Sequence, residues 1–248
     1  MSERLARHVL LTGANRGLGL EWARRLADRV DRLFATCRRP AEAHELAALA
    51  DEHPDTIEVF ALDVADPDAI AAAAERVEEA TGALDLLVNN AGTNGGGTGD
   101  RFGAVEQETM MDVFRVNAAG PHLMVQAFAD LLRAGGVDDD RTVTEESIVV
   151  NVTSQLGSIA NTRGGSWHSY KASKAALNMC TRLQSGALKG DGVIVVSMHP
   201  GWVRTDMGGA NARLSPEASV DGMLGVIGDV TPDDTGRFLT HEGGELPW

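Results

Sequence analysis

The run HVLLTGANRGLG, residues 8–19, passes from an apolar strand through a glycine-rich turn towards a helix. HVLLT (8–12) has an apolar centre, Val9 to Leu11, and reads as a buried strand. That is the pattern of a strand covered on both faces. Glycines follow at 13, 17 and 19, and a helix reads on through about Val30. A strand that turns directly into a helix is the first half of a crossover unit. Such units build parallel sheets with right-handed connections.

Outward from that unit the alternation repeats. LFATC (33–37) is the second strand, and PAEAHELAALADE (40–52) is a helix with Pro40 near its start, where proline is tolerated. IEVFAL (57–62) is the third strand, DPDAIAAAAERVEEAT (66–81) a helix with an acidic first turn, and LDLLVNN (84–90) the fourth strand. A helical stretch runs from Val105 to Leu132 with a break near Gly120-Pro121. SIVVNVTS (147–154) and GVIVVSMHP (192–200) are the fifth and sixth strands, separated by a long helix ending near Leu188. A helix opening at Ser215-Pro216-Glu217 and a last strand in RFLTHEG (237–243) complete the chain. The expectation is an α/β protein: one Rossmann-fold domain over residues 1–248. Its sheet is doubly wound and parallel, with about seven strands and helices on both faces. Ligands of such sheets bind at the carboxyl ends of the strands.

Bulk properties narrow the function. The chain has 248 residues and a formal net charge of −14. That charge disfavours nucleic acid and anionic membranes, which need basic patches. No apolar run is long enough to span a membrane. The start, MSERLARHVLLTG, lacks the apolar region of a signal peptide, so a cytoplasmic protein is expected. Cys37 and Cys180 fit no metal spacing or disulfide framework. They are expected to be buried thiols, and no metal site is expected. Only three lysines accompany the arginines. This acidic, lysine-poor composition fits a saline cytoplasm or simply a GC-rich genome; collapse of stability at low salt would favour the first.

The glycine loop, Thr12 to Gly19, lies between a strand and a helix, the context that gives such spacing meaning. Glycine lets the backbone approach a ligand, and the helix N-terminus offers free N–H groups to a pyrophosphate. A ligand-free turn is the alternative. No G-K-[ST] follows, so a P-loop is unsupported. Dinucleotide sites often place an acid after the second strand to grip the ribose 2′-hydroxyl. Here TCRRP supplies Arg38 and Arg39 instead, and Arg16 lies within the loop. Guanidinium groups suit a 2′-phosphate, so NADP(H) is expected over NAD(H). The expected loop contacts are Gly13, Asn15, Arg16, Gly17, Leu18 and Gly19, joined by Arg38.

SWHSYKASKAAL (166–177) holds the chain's only tyrosine, Tyr170, four residues before Lys174. That spacing puts both on one helix face. Alone, it fits a polar surface helix equally well. With TGANRGLG (12–19), DV (63–64), NNAG (89–92), VNAAGP (116–121), Ser154 in NVTSQLGS and HPGWVRTDM (199–207), it resembles the short-chain dehydrogenase/reductase family. Finer details resemble that family's sniffer and C-signal-like carbonyl reductase branch. These are GSIANTRGG within the long gap from Ser154 to Tyr170, the HPGWVRTDMGG segment and the terminal GGELPW.

The resemblance implies roles. Tyr170 would be the acid–base group. A free phenol titrates near pH 10, and a nearby ammonium lowers that value towards working pH. Lys174 would supply that charge and hold the nicotinamide ribose. Ser154 would hydrogen-bond the substrate oxygen, with Thr153 and Ser158 as the nearest alternative hydroxyls. Asn117 would anchor a relay water, or simply make a hydrogen bond at a helix break. Asp63 and Val64 would meet the adenine, with Asn90, Ala91 and Gly92 beside its ribose. Pro200, Gly201, Val203 and Thr205 would lie by the nicotinamide. TNGGGTGDRF (93–102), GSIANTRGGSW (157–167) and WVRTDMGGANARL (202–214) are candidate pocket walls, with Trp167, Trp202 and Met207 as apolar surfaces. Glycines 95–97 and 208–209 suggest mobile lids, and His168 is expected on the helix surface. The implied activity is NADPH-dependent reduction of small, largely apolar aldehydes, ketones or quinones by a homodimer or homotetramer. Oxidation of a specific alcohol, or NADP-dependent signalling or redox sensing with little turnover, are the alternatives.

Overall fold

The computed structural model describes residues 5–95, 97–136 and 146–248. Seven strands form one sheet: β1 (Ala6–Thr12), β2 (Val30–Cys37), β3 (Ile57–Ala61), β4 (Leu86–Asn89), β5 (Ser147–Val152), β6 (Val193–His199) and β7 (Phe238–Thr240). Their order is β3-β2-β1-β4-β5-β6-β7, and every neighbouring pair is parallel. The helices are α1 (Gly17–Leu26), α2 (His44–Glu52), α3 (Pro67–Thr81), α4 (Gln107–Phe114), α5 (Gly120–Ala127), α6 (Ala129–Ala134), α7 (His168–Leu188) and α8 (Pro216–Asp229).

The apolar strands serve two cores because successive side chains point to opposite faces. Val9, Leu11, Leu86, Val88, Ile148 and Val150 pack with α1 and α8 residues such as Trp22 and Met223. Leu10, Leu87, Val149 and Val195 face the other way and pack with Ile70, Val77, Met124 and Phe128. The doubly wound sheet follows directly from this alternation. Where α7 crosses β5 and β6, the buried contacts turn polar. Asn151 bonds Asn89 (2.9 Å), Thr181 (2.9 Å) and Gln184 (2.8 Å). The Ser197 hydroxyl lies within hydrogen-bond distance of Asn178 (3.1 Å) and Thr181 (2.9 Å).

Several boundaries differ from expectation. α1 stops at Leu26, and β2 begins at Val30 because Val30 is buried and paired with Ala6. β1 likewise extends back to Ala6. The long helix after Val105 breaks earlier than Gly120: residues Arg115–Ala119 form a π-helical segment. Gly120 then starts α5 in close contact with β3's exit, since a Cβ there would lie 2.5 Å from the Val64 carbonyl oxygen. No described helix is long and apolar enough to cross a membrane.

Candidate active site

The carboxyl ends of β1 to β6 share one edge, which opens as a cleft of about 500 Å³. Its floor is the loop between β1 and α1. Gly13 and Gly17 adopt left-handed backbone, with φ of 69° and 56°, which glycine enters without strain. Gly19 permits contact with its own loop: a Cβ there would fall 2.0 Å from the Gly13 carbonyl. α1 has no acidic residue in its first turn and no side-chain cap. Its orphan N–H groups and positive dipole end therefore remain available to an anion.

Asn15, Arg16 and Leu18 line the same floor. The strand order puts Arg38, Asp63 and Val64, after β2 and β3, to one side of it. Tyr170, Lys174 and Pro200 lie to the other, and all six line the cleft. Asn90, Ala91, Gly92 and Thr205 line it too. Gly201 and Val203 do not. Val203 is buried and its backbone bridges to Leu214. The arginines divide in role. Arg39 pairs with Glu42 at 3.1 Å and Arg16 with Asp206 at 3.0 Å. Arg38 makes no ion pair with a described residue.

The Ser154 hydroxyl stands beside the Tyr170 phenol. The Ser154 oxygen accepts from the Leu156 N–H at 3.1 Å, which leaves its hydrogen to point into the site. Thr153 donates to Asn178 at 2.8 Å, and Ser158 is fully buried away from the cleft lining, where it accepts from the Asn161 N–H at 3.2 Å. Lys174 is 4% exposed and donates to the Val152 carbonyl at 2.8 Å. Its ammonium nitrogen lies 5.9 Å from the Tyr170 ring centre. Burial pushes the Tyr170 phenol above its ordinary value, and the neighbouring Ser154 hydroxyl offsets part of the rise. Burial holds Lys174 down at about 8.

Asn117 is fully buried in the π segment. Its amide donates to the Thr93 carbonyl (2.7 Å) and to Ser173 (3.0 Å), and its carbonyl accepts from the Thr93 N–H (2.8 Å). Both side-chain hydrogens are used, so a relay water would have to meet an oxygen of Asn117. Asn117 and Lys174 both face Gly92, where a Cβ would stand 3.3 Å from the first and 3.8 Å from the second.

Of the candidate walls, Met207 lines the cleft and Trp167 packs edge-on to Tyr170 with ring centres 6.1 Å apart. Phe102, Ile159 and Trp202 project from the loops after β4, β5 and β6 and are at least half exposed. Of the candidate lid glycines, Gly95 and Gly208 are tightly packed, Gly97 and Gly209 have open space where a Cβ would stand, and Gly96 lies outside the described residues. The His168 ring reaches the Gly165 carbonyl at 2.9 Å. Cys37 is buried but Cys180 is only half-buried, so the expectation of two buried thiols holds for one. Among the described residues no cluster of ligating side chains could hold a metal.

Sequence reading missed two hubs. The Thr12 hydroxyl accepts from the Asn90 and Ala91 N–H groups, both at 3.0 Å, and so fixes β4's exit against the glycine loop. The Asp206 carboxylate spans the cleft mouth to Arg16. Thr12 ends an apolar strand, which hints at its place, but its partners are remote in sequence.

A family model described as short chain dehydrogenase matches residues 7–214. C-signal from Myxococcus xanthus is 41% identical over 168 residues, covering 68% of this chain and 95% of that protein. The NADPH-bound carbonyl reductase from chicken fatty liver is 37% identical, with a TM-score of 0.89, and the match covers 98% of this chain and 100% of that one. The carbonyl reductase Sniffer of D. melanogaster gives 31% identity, a TM-score of 0.90 and the same coverage.

Proposed function

Since the chain belongs to the short-chain dehydrogenase/reductase family, in its sniffer and C-signal-like branch, we propose that it is an NADPH-dependent carbonyl reductase. The observation that carries this reading is Tyr170 together with buried Lys174, which bonds the Val152 carbonyl at the β5 exit next to Ser154, at the edge of a cleft floored by an anion-ready helix N-terminus.

The residues present fit a dinucleotide with a 2′-phosphate. The glycine loop and the first turn of α1 would take the pyrophosphate, and Arg38, uncommitted to any described carboxylate, would take the 2′-phosphate with Arg16. Asp63 and Val64 would meet the adenine, with Asn90, Ala91 and Gly92 next along the cleft. Lys174 would hold the nicotinamide ribose, and Pro200 and Thr205 would flank the nicotinamide. When bound, NADPH supplies the hydride. Tyr170, kept protonated by burial, gives its hydroxyl proton to the carbonyl oxygen of the substrate. Ser154 donates a hydrogen bond to that oxygen and stabilises the charge that develops there. The Lys174 ammonium stabilises the phenolate left on Tyr170. Exposed Phe102, Ile159 and Trp202 around the strand ends favour small, largely apolar aldehydes, ketones or quinones.

The test is loss of nicotinamide absorbance over a panel of such carbonyls, with NADPH and NADH in parallel. Turnover by wild type with NADPH, and a loss of at least roughly a hundredfold in Tyr170→Phe with NADPH binding retained, is the expected result. Equal turnover by both proteins would sink the acid–base assignment. Similarity to C-signal favours a second reading, NADP-dependent signalling with little turnover. Tight NADPH binding without turnover of any carbonyl would select it.

A further inference from the structure

We propose that Asp100 is a positioning residue for the reaction: it caps the catalytic helix α7 from a separate loop and so sets where the Tyr170 hydroxyl stands. This rests on the carbonyl reductase reading above. Asp100 follows the 3₁₀ turn Gly97–Gly99 after β4 and is 4% exposed. Its carboxylate accepts from the Ser169 N–H at 2.6 Å, and its main-chain oxygen accepts from the His168 N–H at 3.1 Å. These are the first two N–H groups of α7, which have no partner inside the helix.

The helix cannot provide this cap itself. The residue before it, Trp167, makes no side-chain cap and has φ of 68°. It is the one non-glycine residue with positive φ among the described residues. A bulky side chain holds that conformation only where its surroundings over-determine it. Asp100 supplies that constraint by gripping the two residues that follow. Tyr170 is the next residue, in the same first turn, and Trp167 packs against its ring. Any tilt of this turn moves the phenol relative to Ser154, which belongs to the β5 exit and does not move with it. The contact also joins the loop after β4, a candidate pocket wall, to the acid–base group.

The experiment compares Asp100→Ala, Asp100→Glu and Asp100→Asn in the full chain. Asparagine keeps an oxygen at the capping position without the charge. Glutamate keeps the charge but displaces the oxygen by a methylene. Expected are kcat losses of at least roughly tenfold in the Ala and Glu variants, recovery of most turnover in Asn, and little change in NADPH affinity. A second readout needs no turnover. Tyr170 is the only tyrosine, so fluorotyrosine incorporation gives one fluorine NMR line that reports this site alone. That line should hold its position in Asp100→Asn and move or broaden in Asp100→Glu. Should Asp100→Ala fail to fold, the Glu and Asn variants decide. Wild-type-like turnover and an unmoved line in Asp100→Glu overturn the proposal. So does an Asn variant as impaired as Glu, which would assign the effect to charge. If wild type reduces no carbonyl, the functional reading fails, while the fluorine line still decides the role of Asp100.

Discussion

Lys174 sits where burial disfavours its charge, at about 8 against an ordinary 10.5. Between those values the unfolded chain binds a proton that the native chain releases. Stability therefore rises with pH through that window, and below it the full penalty, about 3 kcal/mol, is present. Replacing Lys174 with methionine removes that penalty and leaves the Val152 carbonyl without its donor, which costs about 1–3 kcal/mol. The variant should be at least as stable as wild type at neutral pH and lack the alkaline rise, while losing turnover. Urea unfolding at neutral and alkaline pH checks this; a less stable variant with an unchanged pH slope would refute it. At this scale the sequence was informative where residues are scarce. One tyrosine and few lysines made the Tyr170–Lys174 pair stand out, and Ser154 was singled out from Thr153 and Ser158 by the family resemblance. Contacts made through backbone were hidden. Nothing in the sequence says that Asn117 clasps the main chain of Thr93, that Val203 turns from the cleft to pair with Leu214, or that Asp100 caps α7.

Helix α7 is held to the sheet by buried polar contacts, so its placement depends on directional bonds more than on apolar area. Asn151 uses its amide fully, towards Asn89, Thr181 and Gln184. Asn151→Ala strands those partners in a fully buried site, and each unsatisfied group costs about 1–3 kcal/mol. A loss of about 2–4 kcal/mol is expected in chemical denaturation. A loss well under 1 kcal/mol would mean that water repairs the gap. The strands themselves were legible because continuous apolar runs between turn residues leave little choice. The π segment at Arg115–Ala119 was not, because one extra residue in a helix leaves the apolar periodicity on either side intact. What creates it is tertiary: Asn117 is drawn to Thr93, and Gly120 presses on Val64.

For the whole molecule, charge sets the pH response. The net charge is −14 at pH 7 and the isoelectric point about 4.8. Among the described residues ten arginines already pair with acids, mostly at exposed sites where pairs contribute little. The acid excess therefore acts as diffuse repulsion. Between pH 7 and about 5 that repulsion fades, so stability should hold or rise. Lower down, two carboxylates reverse the trend. Burial raises Asp85, but the N–H groups of His8 and Gly136 and the Arg7 guanidinium outweigh it and hold it below its ordinary value. Burial likewise raises Glu58, and Arg76 and Arg32 more than offset it. Their stabilisation is present above the unfolded carboxylate values near 4 and is lost as pH falls through the lower folded ones. Asp85 is the weightier, because it ties the start of β1 to β4 and to Gly136 after α6. Denaturant midpoints measured across this range should show a plateau to about pH 5 and a steep loss below about 4, with a shallower acid limb in Asp85→Asn. Added salt should raise stability at pH 7 and do little near pH 5, because it screens the same repulsion that protonation removes. Loss that begins above pH 5, with an unaltered acid limb in Asp85→Asn, would show that neither repulsion nor Asp85 governs the response. Unfolding at pH 7 on removal of salt would instead tie the acidic surface to a saline interior.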